Sequence, residues 1–300
     1  MPKVIPGTSH EALAFMLQHW RNLFKISAIP IAIYMLGGWF QINAMVDMYR
    51  KMATFVHGDR IDPAFIGSYM RMMGFSMLIS FFGLFAITWI FVRIVRFHDS
   101  DQAGWFNFDK SSVKATLMTL VYAIGITMLS GLSYMAMFIV LMLLVAIFGA
   151  VANGAVVGVV AVVGVFAAIG TFQWVLFRFL VGLPGVALGH SPDFFRDLWP
   201  LSRGESWAVP LRVWTVTLAT YVPFMVILAW FVLPPMMDLA QKTRPGGAPL
   251  PPDVVFPLIA DMMESFKPAM AFSVLLLLPL AWFLSLLMAI SFRRFRDRQK

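Results

Sequence analysis

Between Val113 and Val181 the chain runs for 69 residues with charge only at Lys114 and Arg178. A helix needs about 20 apolar residues to cross a hydrocarbon core of about 30 Å, so this stretch alone holds two crossings and more. The rest of the chain agrees: 60% of its 300 residues are hydrophobic and 13% are charged. A soluble domain carries about a quarter of its residues as charges and could not hide that much apolar surface. The class is therefore all-α, a polytopic membrane protein with about six transmembrane helices and interfacial amphipathic helices. There is no cysteine, which excludes disulfides and thiolate metal sites. The net charge of +8 is read as a record of orientation in the membrane and not as a nucleic-acid footprint.

Residues 1–7 read as irregular and not as a cleavable leader, because the first apolar run comes too late and is too long. Residues 8–23 form an amphipathic cytoplasmic segment, capped by Thr8 or Ser9, with Leu13, Met16, Leu17, Trp20 and Leu23 on one face. The transmembrane domain covers 24–292, and 293–300 is a basic cytoplasmic tail. Its spans are expected at about 24–46, 72–94, 113–150, 155–181, 209–233 and 268–292. The third is either one long helix or an interfacial helix followed by a span. In the first, Pro30 and the Gly37-Gly38 pair imply a bend or a close helix contact. Ala150, Gly154 and Gly158 recur every four residues and Gly164 with Ala168 repeats the spacing, which lets another helix approach closely, either within the bundle or in a homo-oligomer or partner interface. With both termini cytoplasmic, 16 of the 23 basic residues fall on the inner side, as the positive-inside rule requires.

The stretch from Arg178 to Arg212 separates two very apolar parts. It crosses a Leu183-Pro184-Gly185 break and turns polar at His190. A short surface helix then follows, with Ser191 as N-cap, Pro192 in its first turn and Asp193 near the positive end of its dipole. Phe194, Phe195, Leu198 and Trp199 would line one side of it. Arg178, Leu183-Pro184 and the turn Leu201-Ser202-Arg203-Gly204 together resemble a bacterial six-helix family: the membrane domain found ahead of some glycerophosphodiester phosphodiesterases, and its stand-alone relatives. The acidic residue that pattern places after Leu-Pro is replaced by Gly189-His190. The resemblance implies the fold and an inner-membrane location, and it brings no hydrolase activity with it.

The residues offer little chemistry. The histidines at 10, 19, 57, 98 and 190 are scattered, and no HExxH, GxSxG or phosphate-loop motif occurs. His98-Asp99-Ser100-Asp101 could ligate a divalent ion or form a solvated loop. Asp261 and Glu264 share a helix face, which a charged surface beside water also explains. No cofactor and no metal is expected. The reading is a non-catalytic scaffold or accessory subunit whose partners are membrane lipids, another membrane protein or a second copy. Arg178, Pro184, Arg196, Trp199 and Arg203 are the candidate lipid or partner contacts, although Arg178 can equally snorkel at the membrane edge. A transporter for a lipid-like or small solute would need a polar cavity around Gln41, Asn43, Gln173 and Arg178. A headgroup enzyme would need Asp193, Asp197 or Glu205 to converge with His98 or His190.

Overall fold

The computed structural model describes residues 8–55, 63–100, 109–151, 154–190 and 251–298, with single residues and short pieces between 193 and 237. Among the described residues there are helices and no strands, as expected for chain that must satisfy its own backbone groups in hydrocarbon. The principal helices are α1 (Thr8–Phe55), α2 (Pro63–Ser100), α3 (Lys110–Val151), α4 (Gly154–Leu180), the short α5 (Leu183–Ala187) and α6 (Pro252–Arg298). Among the described residues, five stretches are long and apolar enough to cross a membrane: Thr8–Met52, Phe65–Asp99, Lys110–Ile147, Gly158–Ala187 and Leu277–Asp297. The span expected at 209–233 lies mostly outside the described residues, although Met225–Pro234 forms a shorter apolar helix.

The helices are longer than the spans read from hydropathy. α1 has 48 residues and is therefore roughly 70 Å long at 1.5 Å per residue, far more than one hydrocarbon core. The amphipathic segment expected at 8–23 is continuous with the first span. The interruption inside it is His19, with φ −113° and ψ 18°. α3 is one helix of 42 residues, so no separate helix precedes the span weighed for 113–150. α3 ends at Val151 and α4 begins at Gly154, in line with the spans expected at 113–150 and 155–181. α6 passes without interruption through Pro257, Pro268 and Pro279, so the helix bearing Asp261 and Glu264 is continuous with the last span. Proline is tolerated inside membrane helices because neighbouring groups take up the freed carbonyls.

The chain divides into two compact units. Unit 1 contains residues 1–20, 91–215 and 283–300; unit 2 contains 21–90 and 216–282. Two clusters of buried residues are described in the core of unit 1. One joins Val92 and Val95 of α2, Ala115 of α3, Ala187 of α5 and Ala289 of α6. The other joins Ile126 of α3, Val175 and Phe179 of α4 and Leu183 of α5. In unit 2, the Trp282 indole Nε1 donates to the Ser27 hydroxyl at 2.8 Å in a buried bond between α6 and α1. Gly37 and Gly38 make the close contact their sequence implies. A Cβ at Gly37 would lie 3.1 Å from Ile79 Cγ1, and one at Gly38 would lie 2.5 Å from Met270 Sδ, so α2 and α6 both approach the α1 backbone there.

Candidate functional site

The densest polar arrangement in unit 1 lies where α2 ends and α3 begins. Arg96 leaves the last turns of α2 and donates through Nε to the Ala187 carbonyl of α5 at 3.0 Å. One of its terminal nitrogens donates to the Ser111 and Ser112 hydroxyls, both at 3.1 Å. A planar guanidinium carries five donors in a fixed fork, so one side chain can tie three helices. The Ser111 hydroxyl in turn donates to Asp109 at 2.7 Å, just ahead of the α3 N-terminus. Hydrogen bonds from Ser112 and Ser111, with the positive charge of Arg96, hold the Asp109 carboxyl down to about 2.

This shift fixes a pH dependence. A carboxylate whose pKa is depressed on folding contributes stability above its ordinary value, 3.8 here, and loses it as the pH falls through the folded value. Asp109→Asn is therefore expected to lower the unfolding midpoint by a constant amount between pH 8 and pH 5. The gap to wild type should close as the pH falls from about 4 toward 2, as read by circular dichroism in detergent.

Beside this knot α5 is entirely buried, from Leu183 to Ala187. The Leu183-Pro184 break is a turn at 181–182 followed by one short helix with Pro184 in its first turn, where a missing N–H costs nothing. Leu188 N donates to Pro184 O at 3.0 Å and His190 N to Gly185 O at 3.0 Å. Gly189 closes the turn at φ 98°, a conformation that favours glycine. A narrow crevice next to α5 is lined by His98, Asp99, Pro184, Phe292, Arg293 and Arg296, among others.

The expected contact residues are found in different settings. Arg178 ends α4 with its guanidinium over the Trp174 ring, 5.0 Å from the centroid. Pro184 is buried. Arg196 is exposed, and its backbone N–H donates to Asp193 Oδ1 at 2.9 Å, while Asp193 N donates to Asp197 Oδ2 at 2.8 Å. Ser191, the expected N-cap, lies outside the described residues. Trp199 and Arg203 lie outside the described residues. Ala150 and Gly154 belong to helices, but their side-chain surroundings are not among the described features. Gly158 is exposed, and a Cβ there would meet open space. The close approach between α3 and α4 occurs at Gly164, where a Cβ would overlap Leu141.

The residues weighed for transport are divided between the units. Gln41 and Asn43 fall in unit 2, Gln173 and Arg178 in unit 1, and the Gln41 amide donates to the Ser76 hydroxyl at 3.0 Å. Asp261 and Glu264 do share a face: both pair with Arg50, at 3.7 and 3.4 Å, in exposed contacts of little energetic weight. Lys51 bridges Asp47 at 2.9 Å and Ser68 at 2.8 Å. Among the described residues no three His, Asp or Glu side chains are grouped to hold a metal ion. Sequence reading missed Arg96 as a hub. The available signal was a cation at the end of a span, 15 residues before a Ser-Ser pair that opens the next helix. Comparison with protein-family models, curated proteins and solved structures finds no match.

Proposed function

We propose that the protein is a non-catalytic accessory subunit of a membrane-protein assembly, held in a bacterial inner membrane by six spans with both termini in the cytoplasm. The observation that carries this reading is the α3–α4 hairpin. In each of its two candidate spans, 11% of the most apolar stretch is buried within the protein, against 61% in the span of α6. Leu132, Met135, Leu143, Val163 and Phe166 point outward from it, and Phe166 is 69% exposed. Without water between helices, association in a bilayer depends on packing of such faces against other helices. Methionine and phenylalanine there offer adaptable contact surface. The polar groups that could have served chemistry support the same reading, because Arg96, Gln41, Lys51 and Asp193 are engaged in ties within the chain. The location follows from the positive-inside count and from the resemblance drawn on Arg178, Leu183-Pro184 and Leu201-Ser202-Arg203-Gly204.

Native mass spectrometry of the protein released gently from its own membrane tests this. A stoichiometric protein partner, lost on Phe166→Ser together with Val163→Ser, is the expected result. A bare monomer carrying lipid alone would sink the accessory-subunit reading.

A further inference from the structure

The first two turns of α3 bear an open groove of about 460 Å³, lined among the described residues by Lys110, Val113, Lys114, Leu117 and Met118. Its two halves differ in chemistry. Lys110 and Lys114 are four residues apart, so their Cβ atoms stand about 6 Å from each other on one helix face. Both are exposed, and neither forms an ion pair among the described residues. One turn further on, Leu117 is 46% and Val121 64% exposed, at the start of a helix apolar enough to span a membrane. The nearest acid in sequence, Asp109, takes its hydrogen bond from Ser111, which Arg96 also holds. Its charge is therefore countered from the α2 side, and the two ammonium groups keep theirs.

We infer that this groove binds one anionic phospholipid. The phosphodiester sits between the Lys110 and Lys114 ammonium groups, and an acyl chain lies along Val113, Leu117 and Met118. Free phosphate would use only the upper half, and a zwitterionic lipid would set its own cation against the two lysines. Lysines near a membrane surface each favour anionic lipid by about fivefold, so the pair gives a preference on the order of 30-fold. The inference rests on the membrane reading above but is independent of whether a protein partner exists.

The test uses the full chain in detergent with equal amounts of phosphatidylglycerol and phosphatidylcholine, with retained lipid counted by native mass spectrometry. Wild type should keep one phosphatidylglycerol in strong preference to phosphatidylcholine. Lys110→Gln with Lys114→Gln should bring the ratio near one, and Lys110→Arg with Lys114→Arg should retain most of it. Leu117→Ser should weaken retention without changing the headgroup preference. Excess glycerol 3-phosphate should not displace the lipid. Unchanged preference in the double glutamine variant, or full displacement by glycerol 3-phosphate, would overturn the assignment. Sedimentation of the same variants with membranes reports separately on the membrane reading, because a protein that leaves the membrane fraction fails there first.

Discussion

Replacing Arg96 with alanine is expected to lower stability by about 3 kcal/mol, since hydrogen bonds to a charged group contribute roughly 1.5–3 kcal/mol each and unmade partners add their own cost. Arg96 holds Ala187 O, Ser111 and Ser112 at once, so its loss releases α2, α5 and the start of α3 together. Two features keep the figure from being larger. The side chain is only partly buried, and hydrogen bonds between membrane helices average well under 1 kcal/mol when measured pair by pair. Arg96→Lys separates charge from geometry. An ammonium is a point charge without the planar fork, so it can serve the carbonyl or the serines but not both, and about half the loss should remain. Thermal unfolding in detergent reads both variants, and an unchanged midpoint for Arg96→Ala would show that the knot is ornamental.

Phe179→Ala should cost about 3–4 kcal/mol, the range for truncating a buried aromatic side chain whose neighbours close up only in part. Phe179 is fully buried among Ile126, Val175 and Leu183, where α3, α4 and α5 meet. The contrast is Phe166→Ala on the outward face of the same hairpin, expected to change stability by less than about 0.5 kcal/mol. Equal effects at the two positions would mean that the hairpin is packed differently from the arrangement described here.

The all-helical class was legible because long apolar runs are a one-dimensional property. The 69-residue run held all of α4 and all but the first three residues of α3. Element ends were less legible. α1 and α6 continue past the hydropathy limits, since helical hydrogen bonding does not stop where the side chains become polar. Small residues at regular spacing marked both Gly158, which is open, and Gly164, which meets Leu141. Spacing shows where a close approach is permitted, and the partner helix decides where it happens. The Arg96 knot was hidden for a different reason. Its partners lie 15, 16 and 91 residues away, and no local pattern ties an arginine to a carbonyl that distant.

Both the subunit reading and the lipid groove depend on how the chain crosses the membrane, and the absence of native cysteine allows a direct measurement. Single cysteines at Ser9, Gln102, Thr54, Thr243 and Gln299 would be exposed to a membrane-impermeant maleimide in intact spheroplasts and again after permeabilisation. Six spans with both ends in the cytoplasm predict labelling of Thr54→Cys and Thr243→Cys in intact spheroplasts, and of Ser9→Cys, Gln102→Cys and Gln299→Cys only after permeabilisation. Labelling of Gln102→Cys or Gln299→Cys from outside, or equal labelling at all five positions, would contradict the account.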